Sequence, residues 1–181
     1  MPILSRHLTV EAPADAVWDL VGRHFDRIGD WATAIPGSTA AGEGLAPPRS
    51  PAGPVAGDAP VPGRVCQTGI RLVPEVTETI VAYDAAAGTL TYQATGLPRF
   101  ITIARNTWTV TPLDDRHTRL TLQAEFDTRG LFGVLARWAI LLQVAWTGRH
   151  LARDLTYYIR HGRPSPRKQR QLRRTRRRHA G

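Results

Sequence analysis

Two polar residues lie on strand-like stretches in which alternation would turn them towards a dry interior. Counted in steps of two, Asn106 shares a face with Trp108 and Val110, and Tyr92 shares a face with Leu90. An amide in an apolar setting can orient a carbonyl or hydroxyl group, and a phenol can donate a hydrogen bond or act as a weak general acid. We predict both as candidate catalytic residues. Alternatively, Asn106 bonds to neighbouring backbone or is shifted by a bulge, and Tyr92 fills the core.

Glu78 is the third candidate, because it shares a strand face with Val76 and Ile80. A carboxylate on such a face would lose its water and suit general acid or base chemistry. An unpaired glutamate is almost never fully buried, so the alternative is a side chain that faces outward or pairs with an arginine.

Other chemistries have little support. The one cysteine, Cys66, excludes a disulfide-stapled scaffold or a zinc finger and favours a reducing compartment. His150 and Asp154 are spaced to hydrogen-bond on a helix, but flanking arginines favour a solvent-exposed pair. No grouping has metal-ligand spacing, and no phosphate loop, nucleophile elbow or dinucleotide fingerprint appears. The sequence therefore predicts no metal and no cofactor.

The elements that must position these candidates follow from periodicity. A strand at 3–10 precedes a helix over 12–23, with Pro13 at its first position, and a second short helix that ends near 35–37. Strand signals then recur over 64–127 and predict a meander of about five antiparallel strands. Between them, residues 38–63 hold six Pro, five Gly and six Ala, which predicts a long loop, either a lid or disorder.

A long helix is predicted over 131–159, with one apolar stripe to cover the dry face of the sheet. Its near-continuous apolar part, 131–146, is too short for a bilayer, which needs about 20 residues. Large apolar side chains directed to this dry interior are candidate ligand contacts. These are Trp31, Trp108, Phe126, Leu135, Trp138 and Leu142; for Trp31, plain core packing is an equal alternative.

Charge is concentrated at the C-terminal end. The chain has 24 Lys+Arg and 15 Asp+Glu, yet ten of the basic residues and none of the acidic ones lie in 160–181. We read 161–181 as a basic tail, either frayed helix or disorder, with nonspecific attraction to polyanions or anionic membranes. It lacks interleaved aromatic residues, so no sequence-specific nucleic-acid binding is expected. Residues 1–10 lack the features of a signal peptide, so we expect a cytoplasmic protein.

The order of strand, two short helices, antiparallel strands and long helix resembles the START/Bet v 1-like (SRPBCC) superfamily, in particular its bacterial polyketide cyclase/dehydrase and lipid-transport branch. The matching stretches are VEAPADAVWDLV (10–21), FDRIGDW (25–31), ETIVAYD (78–84) with LTY (90–92), and WTVTP (108–112) with TRLTL (118–122). The resemblance implies an α+β helix-grip fold, in which a curved antiparallel sheet wraps a long C-terminal helix around an apolar cavity. Its members bind lipids, hormones, aromatic metabolites or polyketides, and some cyclise or dehydrate them.

These observations predict a ligand-binding domain over 1–160 whose partner is a small hydrophobic molecule. In an enzyme of the cyclase/dehydratase type, Tyr92, Asn106 and Glu78 would transfer protons and polarise carbonyl groups. The alternative is a non-catalytic carrier that docks on anionic membranes through its Arg-rich tail.

Overall fold

A computed structural model describes residues 3–42, 59–128 and 150–179, with backbone only for 128 and 176–179. Strand β1 (Ile3–Val10) leads through Pro13 into helix α1 (Ala14–Trp18), which widens into a π turn at Asp19–Arg23. A short 3₁₀ turn then precedes helix α2 (Ile28–Trp31). The predicted first helix is thus present, but its second half is not regular α-helix. There the Trp18 ring lies over Gly22 so closely that a Cβ at Gly22 would come within 2.6 Å of it.

The sheet has seven strands, and every neighbouring pair is antiparallel. After β1 its strands are β2 (Gly37–Ala40), β3 (Gly63–Ile70), β4 (Val73–Asp84), β5 (Thr89–Thr95), β6 (Ile101–Asp114) and β7 (His117–Thr128). Their order across the sheet is β1-β7-β6-β5-β4-β3-β2. The meander predicted from 64–127 is therefore confirmed as β3 to β7.

The predicted loop over 38–63 is wrong at both ends. Gly37–Ala40 forms the edge strand β2 against β3, and β3 itself begins at Gly63. The Ser38 hydroxyl accepts from the Gly29 amide at 2.8 Å and donates to the Asp26 carbonyl at 2.6 Å, which ties β2 to α2. The sequence analysis missed β2 because four residues are too few to show an alternation of apolar and polar side chains. The residues that follow it are also rich in Pro, Gly and Ala. The rest of the segment predicted as a lid or disorder, 43–58, lies outside the described residues.

The C-terminal part is helical. Residues 150–161 form helix α3, which ends at Gly162 with φ +61°, and α4 (Pro166–His179) follows. Of the two alternatives considered for the basic segment 161–181, frayed helix or disorder, the structure shows a helix over Pro166–His179. The Ser165 hydroxyl accepts from the Lys168 amide at 3.4 Å, and Pro166 occupies the first helical position. Of the long helix predicted over 131–159, residues 131–149 lie outside the described part.

The core lies on the inner face of the sheet. The predicted dry face of the last two strands is confirmed, since Trp108, Val110, Leu120 and Phe126 are buried. Helices cover this face with further buried residues, namely Val17, Trp18, Val21, Phe25, Trp31, Leu151 and Leu155. Among the described helices, none is long and apolar enough to cross a bilayer.

Candidate ligand site on the inner face of the sheet

The inner face contains a buried ion pair. Arg64 on β3 and Glu78 on β4 are directly opposite in register, and Arg64 Nε donates to Glu78 Oε2 at 2.5 Å. Arg64 Nη1 also donates to the carbonyl of Phe25 at 2.7 Å. The Arg64 side chain is only 2% exposed, whereas Glu78 retains 14%, so the accessible edge of the pair is the carboxylate. Glu78 thus pairs with an arginine, which is the alternative considered for it in the sequence analysis. Its side chain is nevertheless largely buried.

Three aromatic rings surround the guanidinium. Its Cζ lies 3.8 Å from the ring centre of Phe25, 5.4 Å from that of Tyr92 and 5.6 Å from that of Trp108. The Phe25 and Tyr92 ring centres are 5.2 Å apart, and those of Tyr92 and Trp108 are 5.9 Å apart. Such rings attract a cation through their π faces. Together with Cys66, these residues form what we call the Arg64 cluster: Phe25, Arg64, Cys66, Glu78, Tyr92 and Trp108.

Arg64 retains its charge in this setting. Burial is the largest single influence and acts to lower its pKa, but the Glu78 carboxylate, together with smaller contributions from Cys66 and Tyr92, outweighs it, so the pKa is raised above its ordinary value. The cluster therefore holds one permanent cation within a mostly apolar interior.

Tyr92 and Cys66 in the cluster carry protons at neutral pH. Burial, followed by the nearby Glu78 carboxylate, raises the pKa of Tyr92 well above its ordinary 10. Burial likewise raises the pKa of Cys66 to about 12, although the charge of Arg64 acts to lower it. The Cys66 sulfur lies 3.7 Å from Glu78 Oε2, to which the thiol donates. Tyr92 is consequently a hydrogen-bond donor, and Cys66 is a thiol rather than a nucleophilic thiolate.

Asn106 stands apart from the cluster. It faces inward directly opposite Tyr92 across the β5–β6 pair and is half-buried. Within the described residues, its amide makes no hydrogen bond. The structure therefore brings Tyr92 and Glu78 together around Arg64, and places Asn106 beside Tyr92 on the next strand.

The residues predicted to line a cavity divide into two groups. Trp31, Trp108 and Phe126 are all buried. Trp31 also borders a small cleft of about 80 Å³ with Leu20, His24 and Tyr158, among others. The remaining residues, Leu135, Trp138 and Leu142, lie outside the described residues. Trp31, Trp108 and Phe126 are thus part of the core, and their contact with a ligand stays a prediction.

Arg64 and Cys66 were missed because sequence analysis assigns an arginine to the surface. A usable signal was present, since both fall on the same face of β3 by steps of two. The second signal would have been the register of β3 against β4, because this register places Arg64 directly opposite Glu78. The resulting arrangement places a buried cation, a phenol donor and a partly accessible carboxylate together on the inner face.

Comparisons with known proteins agree with this fold. The family model described as "Polyketide cyclase / dehydrase and lipid transport" matches residues 1–156. No curated protein sequence matches the chain.

Solved structures give the same result. A protein from Thermobifida fusca solved by NMR is 29% identical, with a TM-score of 0.62, over 86% of this chain and 93% of that one. A START superfamily protein from Mycobacterium smegmatis is 16% identical (TM-score 0.61; 87% and 97% covered). The aromatase/cyclase Zhui from Streptomyces sp. R1128 is 15% identical (TM-score 0.64; 89% and 97% covered). The predicted START/Bet v 1-like resemblance and the α+β helix-grip class are confirmed.

Proposed function

Because this chain belongs to the polyketide cyclase / dehydrase and lipid transport family, we propose that it binds a small hydrophobic molecule against the inner face of its sheet. The ligand would carry a carbonyl or phenolic oxygen that reaches the Arg64 cluster. The observation that carries this proposal is the Arg64–Glu78 pair, buried beside three aromatic rings.

The polar groups define the ligand's chemistry. Small-molecule sites are mostly apolar with a few placed polar groups that orient the ligand. Tyr92 supplies a proton donor, Arg64 supplies a positive charge for an oxygen that gains electron density, and Glu78 supplies an accessible acceptor. A polyketide-like or aromatic skeleton fits these groups better than a plain alkyl chain, because an alkyl chain would leave them unpaired.

The same groups can perform cyclisation and dehydration. Glu78 would take a proton from the carbon beside a ligand carbonyl, and Arg64 with Tyr92 would stabilise the resulting enolate oxygen. The enolate carbon would then bond to a second carbonyl carbon, whose oxygen takes up the proton held by Glu78. Glu78 would next remove the remaining proton from the same α-carbon and pass it to the new hydroxyl, which leaves as water while a carbon–carbon double bond forms. Asn106, beside Tyr92, would orient the ligand.

The test begins with native mass spectrometry of the purified full chain, followed by denaturing extraction. We expect a hydrophobic molecule to copurify, or 1-naphthol to bind saturably at one site when added. Tyr92→Phe should weaken naphthol binding about fivefold, because one hydrogen bond is lost while the ring remains. Glu75→Gln is the control, since Glu75 is exposed on β4 and lies outside the Arg64 cluster. Absence of saturable binding, or equal effects of both variants, contradicts the proposal.

Catalysis is tested separately with a synthetic polyketone thioester. Water loss or ring closure that stops in Glu78→Gln but continues in Glu75→Gln supports the enzyme. A copurified molecule that is retained unchanged, with no conversion of the thioester, supports a carrier.

A carrier docked on anionic membranes is the second candidate, and the arginines of α4 favour it. It predicts salt-sensitive binding to vesicles that is lost when residues after Arg163 are removed.

A further inference from the structure

One face of α4 presents three arginines to a cavity. Arg167, Arg170 and Arg174 are spaced three and four residues apart, so they lie on one side of the helix. With Thr33 and Gln171 they line a cavity of about 370 Å³, which we call the arginine pocket. The described residues contain no ion pair to any of the three, and the sequence from 160 onward contains no acid. The pocket is therefore strongly positive.

The base of the pocket is held in place. Lys168 is buried, and its Nζ donates to the carbonyls of Ile35 at 2.5 Å and Pro36 at 3.2 Å, and to Gln171 Oε1 at 3.1 Å. Gln171 Nε2 in turn donates to the Thr33 carbonyl at 3.2 Å. The Gln171 amide thus donates to the segment after α2 and accepts from Lys168 on its own helix, whereas the three arginine side chains make no ion pair with the described residues.

A second anchor comes from α3. The Asp154 carboxylate accepts from the Thr33 amide at 2.7 Å and from the Ser165 hydroxyl at 3.0 Å. Asp154 is only 8% exposed, so its predicted role in a solvent-exposed pair with His150 is wrong. Thr33 therefore has a fixed backbone beside the arginines.

The Thr33 side chain carries an unused donor. Its hydroxyl oxygen is buried and has no hydrogen-bond partner within the described ranges. A buried polar group left without a partner is unfavourable, so a bound acceptor that reaches this hydroxyl would be favoured.

We propose that the arginine pocket binds a phosphate monoester. Guanidinium groups match phosphate oxygens with paired N–H donors, and a dianion with three terminal oxygens suits three cations better than a single carboxylate does. The Thr33 hydroxyl would add a neutral donor. The cavity has room for the phosphate and a small attached organic group. This site is separate from the Arg64 cluster, and it does not depend on the function proposed there.

Calorimetric titration of the full chain with glycerol 3-phosphate tests the site. We expect saturable binding at one site. Arg170→Gln/Arg174→Gln should weaken it at least about tenfold, because two charge-assisted contacts are lost. Arg163→Gln/Arg173→Gln removes the same charge from exposed arginines outside the pocket and should change binding less than about twofold. Thr33→Val, which alters no charge, should weaken binding about fivefold.

Vesicles distinguish a soluble phosphate ester from a lipid headgroup. Phosphatidylcholine vesicles with phosphatidic acid display a phosphate monoester, and vesicles with phosphatidylglycerol at equal surface charge display only a diester. Preference for phosphatidic acid, with competition by glycerol 3-phosphate, assigns the lipid. Binding of glycerol 3-phosphate without vesicle binding assigns the soluble ester. Equal losses in the two double variants, no effect of Thr33→Val, or no binding to either probe overturns the proposal.

Discussion

Arginine occupies two opposite settings in this molecule. Arg64 lies in the interior, where a carboxylate, a backbone carbonyl and three rings surround it. Arg167, Arg170 and Arg174 line an open cavity on α4 and make no ion pair to the described residues. The first cation has its partners within the chain, whereas the other three have no anionic partner among the described residues.

The difference shows how one residue type serves two purposes. Enclosed by its partners, Arg64 is a fixed charge that can orient a ligand but cannot leave its place. Lys168 and Gln171 form the hydrogen bonds that attach α4 to the segment after α2. Because the arginines do not take part in these bonds, their N–H groups remain available to a ligand. Each side of this comparison can be tested by substitution.

The largest effect is expected at Arg64. Arg64→Met should lower the free energy of unfolding by about 3–5 kcal/mol, because the Glu78 carboxylate would be left buried without its partner. Urea unfolding followed by circular dichroism measures this. Arg64→Met/Glu78→Leu should recover most of the loss. Arg173→Met, on the exposed side of α4, should stay within about 0.5 kcal/mol. The comparison fails if the two single variants are equally stable.

An intermediate effect is expected at Lys168. Burial lowers the pKa of its amine to about 8, although Asp154 and Asp30 act to raise it, so the amine is mostly charged at neutral pH. Lys168→Met would leave the Ile35 and Pro36 carbonyls without their donor, at a cost of about 1–3 kcal/mol. Amide hydrogen exchange should quicken in α4 while β5 and β6 keep their protection. Unchanged exchange in α4 would show that this contact does not hold the helix.

The smallest effect is expected from Cys66 and appears only in alkali. The unfolded thiol ionises near pH 9, whereas the folded one keeps its proton to about pH 12. The folded state thus binds more protons in this range, so stability falls as the pH rises above about 9. At pH 10 the loss is about 1 kcal/mol. Cys66→Ala should show a smaller decline between pH 8 and 10 in urea unfolding, and identical declines would contradict the buried thiol.

Sequence analysis found the sheet because half-buried strands alternate, as Trp108, Val110 and Leu120 do. It found Tyr92 and Glu78 by the same counting. It missed Arg64 because this arginine is buried only with the help of Glu78, its partner across the β3–β4 pair. The register that brings the two together cannot be deduced from the sequence of either strand alone. It also missed the docked α4, whose Lys168 is held by carbonyls 132 and 133 residues away in the chain. The run of charges alone therefore left frayed helix and disorder open, where distant contacts make a docked helix.

The burial of Lys168 has a consequence for proteolysis. It is the chain's one lysine, so a lysine-specific protease has a single cleavage position, inside the first turns of α4. The peptide bond there becomes accessible only when α4 separates from the segment after α2. When this opening is fast compared with cleavage, the cutting rate follows the population of the open form. Any compound that fills the arginine pocket would then protect the chain from being cut.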